Sequence, residues 1–359
     1  MNTSLKKGHA LLVFSLLAGM AVNAQDRYRK EADKLEASIE RNFYDASSGY
    51  YKEHAEPERN EHPASYLWPL CGMIQADNEL EVLSGEKRID RSMSIIAKYY
   101  DTRKPAPGYA SYPVPLGGGD RFYDDNQWIG IALMDAYFRT KNITYLEKSR
   151  EIYRYMMTAY DTATGGGLYW QEGKLTSKNT CSNGPGIILA LQMYKATKDK
   201  KLLDTALMLY KWVNKYLRDK DGLYYDNIHV PGKKIDQRRY SYNTGTMMQS
   251  NLYLYELTGE KKYLIEAKVI AESSSKYFLG SGAFRDTYWF NAVLLRAYQH
   301  LLKFDKDRKY IQAFSVCVDN ALTKEMHPNG LLGAKNKTAD LVGQSGMLEI
   351  LARLALLEK

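Results

Sequence analysis

Cysteine, proline and long apolar runs are all scarce in this chain. Three cysteines, Cys71, Cys181 and Cys317, stand far apart and odd in number among 359 residues. At most one disulfide can form and no CxxC pair exists, which leaves no thiolate metal spacing. Buried free thiols are expected instead, and no histidine is placed to make one of them a nucleophile. The ten prolines form no tract and no Ser-rich linker interrupts the chain, so nothing marks a domain boundary. Beyond the N-terminus no apolar run approaches the roughly 20 residues that span a bilayer. Basic residues are in mild excess, formally +8, but they are scattered among acids. The clusters Lys233-Lys234 and Arg238-Arg239 are too short to form the basic stripe that nucleic acid requires.

The first residues do carry a signal. Lys6-Lys7 precede the apolar stretch Ala10 to Val22, and Val22-Asn23-Ala24 fits a small-residue cleavage site. Residues 1–24 are therefore expected to be a signal peptide and residues 25–359 a single domain, exported to the periplasm or secreted. No cysteine follows the cleavage point to accept a lipid, so no membrane insertion of the mature form is expected. Cleavage leaves 335 residues at +6. That exceeds the roughly 100–200 residues of a single-core domain unless the chain closes into a ring or barrel.

Tyrosine is abundant, 30 residues against 9 phenylalanines. Its apolar ring with a hydrogen-bonding tip suits sugars, whose faces are apolar and whose edges are hydroxyls, and equally suits helix interfaces. Apolar residues recur at helical spacing in paired segments, a more apolar helix followed after a polar turn by a charged amphipathic one. The pairs are Ser65 to Ala76 with Arg88 to Tyr100, Asp125 to Thr140 with Ile143 to Thr158, and Gly184 to Thr197 with Lys200 to Tyr216. Thr244 to Thr258 with Lys261 to Lys276 and Thr287 to Leu302 with Asp307 to Leu322 complete five. A charged helix at Tyr28 to Phe43 and an apolar one at Leu341 to Leu357 supply a sixth pair from the two chain ends. Six inner helices within six outer ones predict an all-α fold, an (α/α)6 barrel. An open solenoid would want strict repeats and capping units, which are absent.

Loops leading into the inner helices carry glycine, aromatic and polar residues, so that side is where a site belongs. There Tyr123-Asp124-Asp125-Asn126-Gln127-Trp128 is the most concentrated group of reactive side chains. Asp124 with Gln127 also fits a capping box, which accounts for one acid but not for two. A carboxyl pair is what glycoside hydrolysis uses, one group protonating the leaving oxygen while the other attacks or stabilises the reacting carbon. Asn183 and the run Tyr242, Asn243 and Thr244 open other inner helices. With Tyr123, Asn126, Gln127 and Trp128 they are the candidate substrate-binding residues, and Asp124 and Asp125 the catalytic ones.

At these residues the chain resembles glycoside hydrolase family 76, the α-1,6-mannanases. The resemblance rests on Tyr123-Asp124-Asp125-Asn126 with Trp128, on Ser182-Asn183-Gly184-Pro185 and on Tyr242-Asn243-Thr244-Gly245, and spans nearly all of the mature chain. It implies the (α/α)6 barrel, cleavage of α-1,6-linked mannan or manno-oligosaccharides with retention, and no metal or other cofactor. By position it makes Asp124 the nucleophile and Asp125 the general acid/base. An endo-acting monomer is expected, with no nucleic-acid partner. The segments Ser65 to Trp68, Phe284 to Phe290 and Gly343 to Met347 match more loosely and are candidate subsite contacts. Competing readings are an unsaturated uronyl hydrolase using Arg285 or Arg238-Arg239, a sugar epimerase, a transglycosylase, and a non-catalytic glycan-binding protein.

Overall fold

A helix that is apolar on every face has to be surrounded, and this chain surrounds six of them. The computed structural model describes residues 27–333 and 339–357; the expected signal peptide, residues 1–24, lies outside them. Outer and inner helices alternate: α1 (residues 27–43), α2 (Leu67–Ser84), α3 (Ile89–Ile96), α4 (Tyr123–Thr140), α5 (Ile143–Met157), α6 (Thr180–Thr197), α7 (Lys200–Tyr216), α8 (Ser241–Thr258), α9 (Lys261–Ser274), α10 (Tyr288–Leu301), α11 (Lys309–Lys324) and α12 (Leu341–Leu357). Each even-numbered helix packs on the next, and α12 returns to α2, so the inner ring closes. The result is an (α/α)6 barrel whose buried apolar side chains form one cluster from Tyr28 to Ala355. Close approach within the ring needs glycine. A Cβ added to Gly245 on α8 would lie 2.9 Å from the Leu294 Cα on α10.

The outer ring closes through polar pins. The tyrosine hydroxyls of Tyr145, Tyr153 and Tyr310 bond Asp90 at 3.1 Å, Thr205 at 2.9 Å and Glu272 at 3.0 Å, joining α3 to α5, α5 to α7 and α9 to α11. Arg218, just after α7, meets Glu266 of α9 at 2.8 Å. Helix α1 fits between α11 and α3, with Tyr28 donating to Asp319 at 3.2 Å and Arg91 paired to Glu40 at 2.6 Å. Much of the tyrosine surplus therefore seals helix seams rather than binding ligand.

The inner-to-outer turns repeat one device. Thr140, Thr197 and Thr258 each bond the carbonyl four residues back, at 2.8, 2.8 and 2.7 Å. The next residue, Lys141, Lys198 or Gly259, takes the left-handed conformation that ends a helix. Asn142 and Asp199 then cap the following outer helices.

Strands, which helical periodicity did not predict, occupy the loops. Two short hairpins pair β1 (Tyr44–Asp45) with β2 (Tyr50–Tyr51) and β3 (Tyr100–Asp101) with β4 (Gly108–Tyr109). A four-stranded antiparallel sheet runs in the order β5 (Tyr169–Gln171), β6 (Lys174–Asn179), β7 (Tyr225–His229), β8 (Ile235–Arg239). Because β6 leads straight into α6 and β8 into α8, this sheet stands over the N-terminal end of the inner ring. Toward the other end of the barrel, Arg296 grips Glu349 with two bonds of 2.6 Å, and Arg353 bonds Glu349 at 2.7 Å and Glu79 at 3.0 Å. Burial pushes the Glu349 carboxyl up, but the two guanidiniums outweigh it and hold the group below its ordinary value. No helix among the described residues is long and apolar enough to cross a membrane.

Candidate active site

The inner helices all point their N-termini at the side carrying the sheet. The second residues of five of them, Trp68, Asp124, Cys181, Tyr242 and Trp289, line a cavity of about 590 Å³. At about 100° per residue, a helix turns its fourth position to nearly the opposite side. In α4, α6 and α12 that fourth residue clamps a loop instead. Asn126 accepts from the Tyr109 N–H at 2.7 Å and donates to the Tyr109 carbonyl at 2.9 Å. Asn183 does the same to Leu168 at 2.8 and 3.0 Å, and Gln344 to Leu332 at 2.9 and 2.6 Å.

This register sorts the residues singled out in the sequence. Asp124, Asp125, Trp128 and Tyr242 line the cavity. Asn126 and Asn183 do not; both are buried behind it as loop clamps. Gln127 is also withdrawn, donating to the Ser182 carbonyl at 2.8 Å, while Tyr123 stacks on Tyr155 with ring centroids 4.9 Å apart and reaches Thr158. Asn243 and Thr244 are fully buried beneath the floor, Asn243 donating to Asp226 at 3.4 Å. The capping box at Asp124 does not form either. Helix α4 starts two residues earlier than the apolar pattern implied, with Phe122 at its N-cap and no side-chain cap.

The two aspartates are held differently. Asp124 Oδ2 accepts from the Trp170 indole N–H at 3.1 Å. The nearby Cys181 thiol and the backbone N–H groups of Asp124 and Asp125 also favour a negative charge on this carboxyl. Burial still pushes Asp124 up, but these donors favour its ionised form and counter part of the rise. Asp125 is half-buried; its removal from solvent and the Asp124 charge beside it both raise it well above the ordinary value. Among the described residues no side-chain donor reaches the Asp125 carboxyl; the nearby Cys71 thiol goes to its backbone carbonyl, at 3.3 Å. One proton shared by this pair therefore rests on Asp125.

Around the pair, one wall is aromatic. Tyr242 stacks on Phe290 at 4.1 Å, and Trp289 meets the edges of Trp128 at 5.2 Å and Trp68 at 5.5 Å. The opposite wall is the sheet, which brings Trp170, Asn179, Asp226, Asn227, His229 and Arg238 to the cavity. Of these the sequence had singled out Arg238 alone, for the uronyl hydrolase reading; the others were missed because the wall is built from strands hidden in segments that read as loops. The looser candidates divide: Trp68, Trp289 and Phe290 line the cavity, while Phe284 packs on Phe314 at 5.0 Å. Buried atoms without a protein partner cluster here, namely Asp124 Oδ1, Asn179 Oδ1, Asn227 Oδ1 and Trp289 Nε1. Apolar ring faces beside unpaired acceptors and donors form a surface suited to a polyol. A carboxylate-binding subsite is poorly served. Arg238 is engaged by Asp236 at 2.6 Å and Asp226 at 3.6 Å, Arg239 is paired with Asp219, and Arg285 lies over Tyr277.

Comparison with known proteins agrees with this architecture. Residues 27–319 match the model of the family described as glycosyl hydrolase family 76. A family 76 glycoside hydrolase (mannosidase) from Bacteroides thetaiotaomicron superposes with a TM-score of 0.83 at 29% identity, covering 92% of this chain and 99% of that one. A family 76 alpha-mannanase from the same species gives a TM-score of 0.84 at 25% identity, covering 91% and 95%. The mannan endo-1,6-alpha-mannosidase DFG5 of Candida albicans is 28% identical over 181 residues, 46% of this chain. That alignment spans only 40% of the Candida protein's length.

Proposed function

The chain belongs to glycosyl hydrolase family 76, and from that membership we propose that it is a retaining, endo-acting α-1,6-mannanase working on mannan or manno-oligosaccharides. The observation that carries the mechanism is the unequal treatment of the two aspartates. Asp124, fed by Trp170, Cys181 and two backbone N–H groups, is the group that ionises first. Asp125, deprived of donors and repelled by Asp124, keeps the proton. In the first step Asp124 attacks the anomeric carbon while Asp125 gives its proton to the departing glycosidic oxygen, leaving a mannosyl ester on Asp124. In the second, Asp125 takes a proton from water, the resulting hydroxide attacks the same carbon, and the Asp124 carboxylate is released.

Trp128, Tyr242 and the aromatic wall would carry sugar faces, and Asp226 with Asn227 would bond hydroxyl edges. The paired state of Arg238, Arg239 and Arg285 argues against the uronyl hydrolase reading. The N-terminal sequence fits export to periplasm or medium. Endo action is supported by the likeness to the Candida relative, a mannan endo-1,6-alpha-mannosidase.

Replacing Asp124 by Asn tests the proposal on α-1,6-mannan. A folded Asp124→Asn protein should lose roughly 10³-fold or more of its hydrolytic rate. Undiminished hydrolysis would contradict the assignment, and products longer than the substrate would show transfer to sugar in place of water.

A further inference from the structure

We propose that Trp170 is a positioning residue for the reaction, holding Asp124 in its attacking orientation through the indole N–H while its ring walls the sugar site beside it. The proposal rests on the reading of Asp124 as nucleophile. Three features of the structure support it.

First, the strand that carries Trp170 is stapled to the residues leading into α4. Wholly buried Arg121 clasps Glu172 through Nε at 2.8 Å and Nη2 at 2.5 Å. Gln171 donates to Asp120 at 2.5 Å and forms a β-bridge with Phe122. Residues 120–122 are thereby fixed to residues 171–172, so the distance from Trp170 to Asp124 is set by backbone rather than by a free side chain. Pre-organised donors of this kind cost no reorganisation when charge moves on the reacting group.

Second, Trp170 is not placed as a core residue. It keeps 38% of its surface exposed and lines the cavity, with one side against Phe122 at 4.9 Å between centroids. An exposed indole beside a half-buried carboxylate offers its remaining surface to a sugar.

Third, no counter-charge near Asp124 can do this work, and the other side-chain donor beside it, the Cys181 thiol, is a weak one. Among the described residues, the titratable groups that interact with Asp124 are Asp125 on its own helix, Cys71 from α2, Cys181 from α6 and Tyr242 from α8. None of them is a cation. Hydrogen bonds, not a counter-charge, must favour the ionised Asp124, and the Trp170 bond of 3.1 Å is the one that orients a specific oxygen.

Trp170→Phe keeps a ring and removes the N–H, whereas Trp170→Ala removes both. On a manno-oligosaccharide, Trp170→Phe should lower kcat about tenfold with KM within about twofold, and move the acid limb of kcat/KM upward by about one pH unit. Trp170→Ala should raise KM about tenfold in addition. Wild-type kcat and an unmoved acid limb in Trp170→Phe would overturn the proposal. So would a change in KM alone, which would make the indole a platform and nothing more. Trapping with a 2-deoxy-2-fluoro-mannosyl fluoride, followed by mass spectrometry of the labelled peptide, keeps the two claims apart. Label on Asp124 that forms about tenfold more slowly in Trp170→Phe supports the proposal. Label on Asp124 at an unchanged rate overturns the proposal alone, and label on another residue overturns the underlying assignment with it.

Discussion

At the scale of single residues, the site places two half-buried acids next to each other at a cost to folding, and the cost falls mainly on Asp125. Its carboxyl is driven well above the ordinary value by burial and by Asp124. A group whose folded value lies above its unfolded value of about 3.8 is no burden at low pH, where it is neutral in both states. As pH rises through the folded value, ionisation in the buried site is resisted while the unfolded chain ionises freely, so stability falls. Asp125→Asn should therefore be more stable than the parent at pH 7–8, by about 1–3 kcal/mol, with the advantage shrinking toward pH 4. Urea denaturation at several pH values checks this, and a pH-independent difference would mean that the carboxyl is not held as described. The adjacent pair was legible in the sequence. Which member ionises first was not, because that depends on Trp170 and Cys181, residues 46 and 57 positions away that only the closed ring brings to Asp124.

At the scale of elements, apolar periodicity located each inner and outer helix but placed the starts of several inner ones late. Helix α4 begins at Tyr123, not Asp125; α6 begins at Thr180, not Gly184; and α8 begins at Ser241, not Thr244. In each case the first turn is made of polar and small residues, and polar residues at the mouth of a barrel carry no apolar stripe by which to recognise them. The same error misassigned Asn126 and Asn183, since a helix start shifted by a few residues rotates which side chains face the axis. Four-stranded pairing was missed for a related reason, as β7 and β8 are short and rich in charge. The helix ends, by contrast, rhymed visibly in sequence and share one left-handed stop in the structure. At Gly259, φ is 73° and an added Cβ would meet nothing within 4 Å, so Gly259→Ala changes backbone strain and little else. It should cost about 1 kcal/mol of stability with no change in catalytic rate. A denaturation midpoint indistinguishable from the parent would show that the turn relaxes.

At the scale of the whole molecule, the closed ring explains how so long a chain buries one continuous core and why one end alone carries the chemistry. The N-termini of five inner helices converge on the cavity, and acids are favoured there by the helix dipoles. Toward the far end, Arg296, Glu349, Arg353 and Glu79 pair buried charges with one another. The tyrosine surplus, read from composition as suited to both sugars and interfaces, divides accordingly: Tyr28, Tyr145, Tyr153 and Tyr310 pin outer helices, while Tyr66, Tyr240 and Tyr242 reach the cavity. On the proposed mechanism, what the ring finally holds together is a two-step displacement at one carbon by Asp124 and Asp125. Proton magnetic resonance of the first products released from an α-1,6-manno-oligosaccharide follows that carbon directly. Double displacement predicts the α-anomer first, with the β-anomer appearing only by later mutarotation. Initial release of the β-anomer would mean a single displacement by water, and would contradict the assignment of Asp124 as nucleophile.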